Sequence, residues 1–117
     1  MGARKLAKTE WQPYFDLVSK FIEGKQAEIE VASLALGNQV EARWLPLIGI
    51  VYDPKSDVVE IALEQLDHMI QKPREILVNE GPAGLASVEV SGADGVMQIV
   101  KLRDPLMLPP PSRRQGQ

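Results

Sequence analysis

The sequence predicts an α+β domain: an N-terminal helix followed by a five- or six-stranded, strongly bent antiparallel sheet or small barrel. Three observations predict it. The apolar period is helical between Thr9 and Gly24, it changes to two from Gln26 onward, and bend signals at Ser33, Pro46 and Gly49 interrupt the strands that follow.

Thr9 opens the helix as a capping hydroxyl, Gln12 completes a capping-box spacing, and Pro13 falls within the first turn. Trp11, Phe15, Val18 and Ile22 then share one helical face, flanked by Tyr14 and Phe21, while Asp16, Ser19 and Lys20 fall elsewhere. Gly24 ends the helix. The stripe is read as core, with Trp44 among the bulky side chains that dock the helix on the sheet.

Ala27, Ile29 and Val31 alternate with Glu28 and Glu30, as in a strand with one wet face. Leu34 and Leu36 take the opposite parity, which places a bulge near Ala32 and Ser33, and Gly37-Asn38 reads as the hairpin turn. The returning strand carries Val40, Ala42 and Trp44, bends at Pro46 and Gly49, and continues to Tyr52. Asp53 to Asp57 is a turn, and Val58 to Leu63 is the third strand. From Glu64 to Lys72, the spacing of Leu66, Met69 and Ile70 predicts a short helix or irregular turn closed by Pro73. Ile76 to Val78 form a short strand. Leu85 to Val90 and Val96 to Arg103 form a last hairpin around Asp94-Gly95, and the ladder stops at Asp104.

A chain of 117 residues with 44% apolar content fits one domain, here residues 9–108 between a basic arm, 1–8, and a Pro-rich disordered tail, 109–117. The net charge of -3 is unevenly placed. Five of the 13 basic residues (Arg4, Lys5, Lys8, Arg113 and Arg114) lie at the two ends without an acid, so the body between them carries -8. Such a body repels a phosphate backbone and argues against nucleic acid as partner. The absence of cysteine removes disulfides, thiolate catalysis and cysteine metal sites. Without a leader pattern or a membrane-length apolar run, a cytoplasmic location and no membrane partner are expected.

The stretch from Ile29 to Leu63, together with LDHMIQKPREILV from Leu66 to Val78 and the closing MQIVKLRDPLMLP, resembles a small bacterial family of unknown function. Its most distinctive parts are YDPKSDVVEIAL and LDHMIQKP. The resemblance implies no activity, cofactor or catalytic residue. A second likeness is architectural: a helix before a bent antiparallel sheet, with Leu36-Gly37, Asp53 and Lys101-Leu102-Arg103 as markers, is similar to the Sm-like RNA-binding proteins. Asp104 stands where that pattern places a glycine, and the Asn expected beyond Asp53 is missing.

His68 is the only histidine, hence the natural general acid or base if the chain is a small hydrolase or isomerase. Glu64 would share a helical face with it, and Asp67 adjoins it. The competing reading is a structural or surface histidine. Asp53, Ser56, Asp57 and Glu60 superficially suggest an oxygen-ligand loop, but Pro54 and the missing glycine favour a plain turn. No phosphate, nucleophile or metal motif is present, so no cofactor or metal is expected. The leading reading is a noncatalytic soluble protein-interaction or assembly module, with itself as one partner through an apolar tail, Pro105 to Pro111. The alternatives are an Sm-like RNA binder using Arg43, Lys72, Arg74, Lys101 and Arg103, and the His68-dependent enzyme.

Overall fold

The computed structural model describes residues 2–22, 24–35 and 37–109. Among these residues, one helix, α1 (Lys8–Phe21), packs on an eight-stranded antiparallel sheet. The strands are β1 (Ala3–Lys5), β2 (Gln26–Ser33), β3 (Gly37–Asp53), β4 (Val58–Leu63), β5 (Leu66–Gln71), β6 (Pro73–Gly81), β7 (Gly84–Gly92) and β8 (Met97–Leu106). Their order is β1-β6-β7-β8-β2-β3-β4-β5, so the sheet does not close and β1 and β5 are its edges. The α+β class and the leading helix agree with the sequence; the strand count is eight rather than five or six. Residues 3–5, expected in a basic arm, pair with β6 from Ala3↔Asn79 to Lys5↔Leu77. The tail from Pro110 onward lies outside the described residues.

The helical stripe is the core face. Trp11, Phe15, Val18 and Ile22 are all buried and belong to one core cluster with Ile50 and Tyr52 of β3, Val59 and Ile61 of β4, and the inward side chains of β6 to β8. Trp11 meets Tyr52 edge-on, centroids 5.1 Å apart. Trp44 is absent from this core: it is half-buried, with φ of 52°. The helix also begins earlier than Thr9. Ala7 occupies the cap position and has no side-chain acceptor, so the Glu10 carboxylate supplies the polar contact by accepting the Ala7 N–H at 2.8 Å. Pro13 therefore sits inside the helix rather than in its first turn.

Strand β3 changes partner midway. Its first part pairs with β2, from Ser33↔Gly37 to Gln26↔Pro46, and its second with β4, from Leu47↔Leu63 to Asp53↔Val58. The shifts opposite Ala27, Ile29 and Glu30 place the extra residues on β3, where Trp44 adopts its left-handed φ, not near Ala32 and Ser33 as expected. Leu34 and Ala35 are in the turn, and Gly37, with φ of 72°, is the first residue of β3. Where β2 ends as a partner, α1 takes its place. Ser19 Oγ accepts the Ile50 N–H at 2.9 Å and donates to the Ile50 carbonyl at 2.7 Å, doing for β3 what a neighbouring strand would do.

The segment from Glu64 to Lys72 is not helical. It is β5, joined to β4 by a tight turn in which Gln65 has φ of 69°, and paired from Leu63↔Leu66 to Val58↔Gln71. Leu66, His68 and Ile70 point inward and Asp67, Met69 and Gln71 outward, a period of two that the spacing of Leu66, Met69 and Ile70 concealed. Lys72, with φ of 52°, then turns the chain into β6. At the other end the ladder does not stop at Asp104: β8 continues through Pro105, and Leu85 pairs with Leu106.

Candidate functional site

The three sequence candidates for catalysis are on one hairpin but do not converge. Glu64 lies in the exposed β4–β5 turn, its N–H bonded to the Pro46 carbonyl at 2.9 Å. Asp67 and His68 are neighbours on a strand, so their side chains leave opposite faces. His68 Nε2 bonds to Gln98 Oε1 of β8, both side chains being half-buried. The helical relation between Glu64 and His68 is absent, because the segment is a strand.

The Asp53 loop is a self-satisfied turn. Asp53 accepts the Lys55 N–H and the Ser56 hydroxyl, both at 2.9 Å, and the Asp57 carboxylate accepts the Tyr52 hydroxyl at 2.8 Å. Burial, reinforced by that bond to Asp57, pushes the Tyr52 phenol up to about 12. The Ser56 hydroxyl and then the Lys55 N–H hold the Asp53 carboxyl below its ordinary value. A depressed carboxyl stabilises the fold above the ordinary aspartate pKa of about 3.9 and loses that contribution as pH falls through the lower folded value. The check is an NMR titration of the Asp53 side chain, whose midpoint is expected below that of aspartate in an unstructured peptide.

Three of the basic residues proposed for RNA are engaged on the sheet. Lys101 Nζ lies 3.0 Å from Glu30, which also accepts from Asn38 and has its carboxyl pKa lowered by Lys101 first and Asn38 second. Arg43 lies 3.7 Å from Glu28, and Arg103 donates to Gln26 at 3.0 Å while stacking over Trp44. The apolar tail is likewise partly committed: Leu106 is buried, Leu108 packs against the core, and Met107 stays exposed.

Two further surfaces stand out among the described residues. The first is the β5 edge. β5 has a strand partner on one side only among the described residues, and its outward Met69 continues a cross-strand row through Glu60 to Val51. Met69 is 51% exposed, Val51 45% and Ile48, farther along β3, 61%.

The second is a cleft of about 580 Å³ between α1, the β6–β7 turn and the end of β8. Leu17, Leu85, Met107 and Leu108 make its apolar wall. At its polar end Tyr14 donates to Glu80 Oε2 at 2.6 Å, and Arg4 reaches Glu80 at 3.4 Å and Glu10 at 3.6 Å. The Arg4 guanidinium also lies 5.9 Å from the centre of the Tyr14 ring. Burial, then the bond to Glu80, raises the Tyr14 phenol well above its usual value. Sequence reasoning missed this constellation because its members are up to 76 positions apart, as Arg4 and Glu80 are. Among the described residues, no helix is long and apolar enough to cross a membrane.

No solved structure matches the chain. An uncharacterized protein of Aquifex aeolicus (strain VF5) is 36% identical over 110 residues, covering 93% of this chain and 99% of its own length. A family model described as a family of unknown function, DUF5335, matches residues 2–111. The chain therefore belongs to that family, in agreement with the resemblance carried by the YDPKSDVVEIAL and LDHMIQKP segments.

Proposed function

We propose that the protein is a noncatalytic assembly module whose contact surface is the β5 edge with its outward row, and whose partner is a second copy of the chain. The observation that carries this reading is the contrast between the two sheet edges. β1 is three residues long and carries Arg4 and Lys5, the shortness and charge that blunt an edge against pairing. β5 is six residues long, has no Lys, Arg or Pro, and exposes Met69.

Antiparallel pairing of two β5 strands about Met69 sets each Asp67 opposite the other copy's Gln71, an acceptor against an amide donor. It also joins two Val51–Glu60–Met69 rows into one continuous strip with the two Met69 side chains at its centre. The separation of His68, Asp67 and Glu64 supports the noncatalytic part of the reading. Light scattering across a concentration series tests it. The expected result is a dimer that Met69→Lys converts to monomer without lowering the melting temperature, since the side chain is exposed. A strict monomer at high concentration overturns the assembly reading.

A further inference from the structure

We propose that the cleft between α1 and the end of β8 binds a small amphiphilic amine, with its ammonium group at the Glu10–Glu80 end and its alkyl chain along Leu85, Met107 and Leu108. The volume lies within the roughly 300–1,000 Å³ of small-molecule sites, and an apolar wall with a few convergent polar groups is their usual composition.

The charge at the polar end selects the sign of the ligand. Two carboxylates face one guanidinium, leaving an excess negative charge. The Tyr14 ring adds an aromatic surface that already has a cation beside it. Arg4 is a loose occupant of this position. Its contacts of 3.4 and 3.6 Å exceed the roughly 2.7–2.9 Å of good charge-assisted bonds, and it is held on the three-residue edge strand β1. One oxygen of each acid has another task, since Glu80 Oε2 accepts from Tyr14 and Glu10 Oε1 from Ala7. Glu80 Oε1 and Glu10 Oε2 are left facing the guanidinium. A primary ammonium is a compact charge with three rotatable donors, so it can approach these oxygens more closely than the planar guanidinium does. An alkyl chain attached to it then lies over the apolar wall, where Met107 is exposed.

Titration of the full chain with n-hexylammonium, hexanoate and hexanol tests the proposal, with the methyl resonances of Leu17, Met107 and Leu108 followed by NMR. Saturable shifts are expected with hexylammonium, at an affinity about tenfold above hexanol, the factor that one charged contact supplies. Arg4→Ala is expected to tighten binding by freeing the position. Glu80→Gln, which keeps an acceptor for Tyr14, is expected to weaken it about tenfold; Glu10→Gln gives an independent reading of the same loss. Absence of saturation by hexylammonium, hexanoate binding as tightly, or weaker amine binding in Arg4→Ala overturns the proposal.

Discussion

Gly84→Ala is expected to destabilise the fold by several kcal/mol and to lower the melting temperature more than any exposed substitution. Two independent costs fall on the same atom. Gly84 has φ of 115°, a conformation costing a residue with a Cβ on the order of 1–3 kcal/mol. A Cβ built there would lie 2.3 Å from the Leu106 carbonyl oxygen and 2.8 Å from the Met107 nitrogen, both backbone atoms that cannot rotate away. Overpacking of this kind costs about 1–3 kcal/mol more, and the total is a large fraction of the roughly 5–15 kcal/mol that keeps a domain folded. Gly81, across the same turn, has no atom within 4 Å of such a Cβ, so Gly81→Ala is the control and is expected to be close to neutral. Thermal melts of the two variants check the difference. Equal losses at both positions would mean that the approach of β8 to Gly84 does not constrain the fold.

Ser19→Ala is expected to cost about 1–3 kcal/mol, because it removes a hydroxyl that serves two backbone groups at once. The Ile50 N–H and carbonyl would both lose the Ser19 hydroxyl, on a section of β3 beyond its last residue paired with β2, Pro46. Ser19→Thr keeps the hydroxyl, whereas Ser19→Cys fills the volume with a weak donor, so the ranking Ser, Thr, Cys, Ala in denaturant midpoint separates hydrogen bonding from packing. Amide exchange at Ile50 gives the local readout: protection there is expected to fall in Ser19→Ala while that of β7 and β8 changes only with global stability.

Much of the fold was legible where one local rule governed a segment. The stripe of Trp11, Phe15, Val18 and Ile22 is the core face, the helix stops at Phe21, short of the expected Gly24, and the strands from Gln26, Val58 and Leu85 follow from alternation. The β5 strand was hidden for a physical reason. Leu66, Met69 and Ile70 fit a helical face as well as Leu66, His68 and Ile70 fit a strand face, and the turn at Gln65 uses a non-glycine residue with positive φ. The cap at Ala7 gave no signal because its polar group comes from Glu10. The cleft and the Ser19 contact depend on residues distant in sequence, and no periodicity reports them.

The sheet order divides the chain into two meanders, β2 to β5 and β6 to β8, whose strands pair with their sequence neighbours. Among the described residues the β2–β8 ladder is the strand pairing that joins them, and it matches residues 65 to 75 positions apart, from Ala32↔Met97 to Ala27↔Leu102. Each meander can form by closing short loops, but the seam must close one of about 70 residues before it gains a single ladder bond. The speed of folding is thus governed by this seam, and substitutions at Ile29 or Val100 are expected to slow folding while those in the β4–β5 hairpin mainly hasten unfolding.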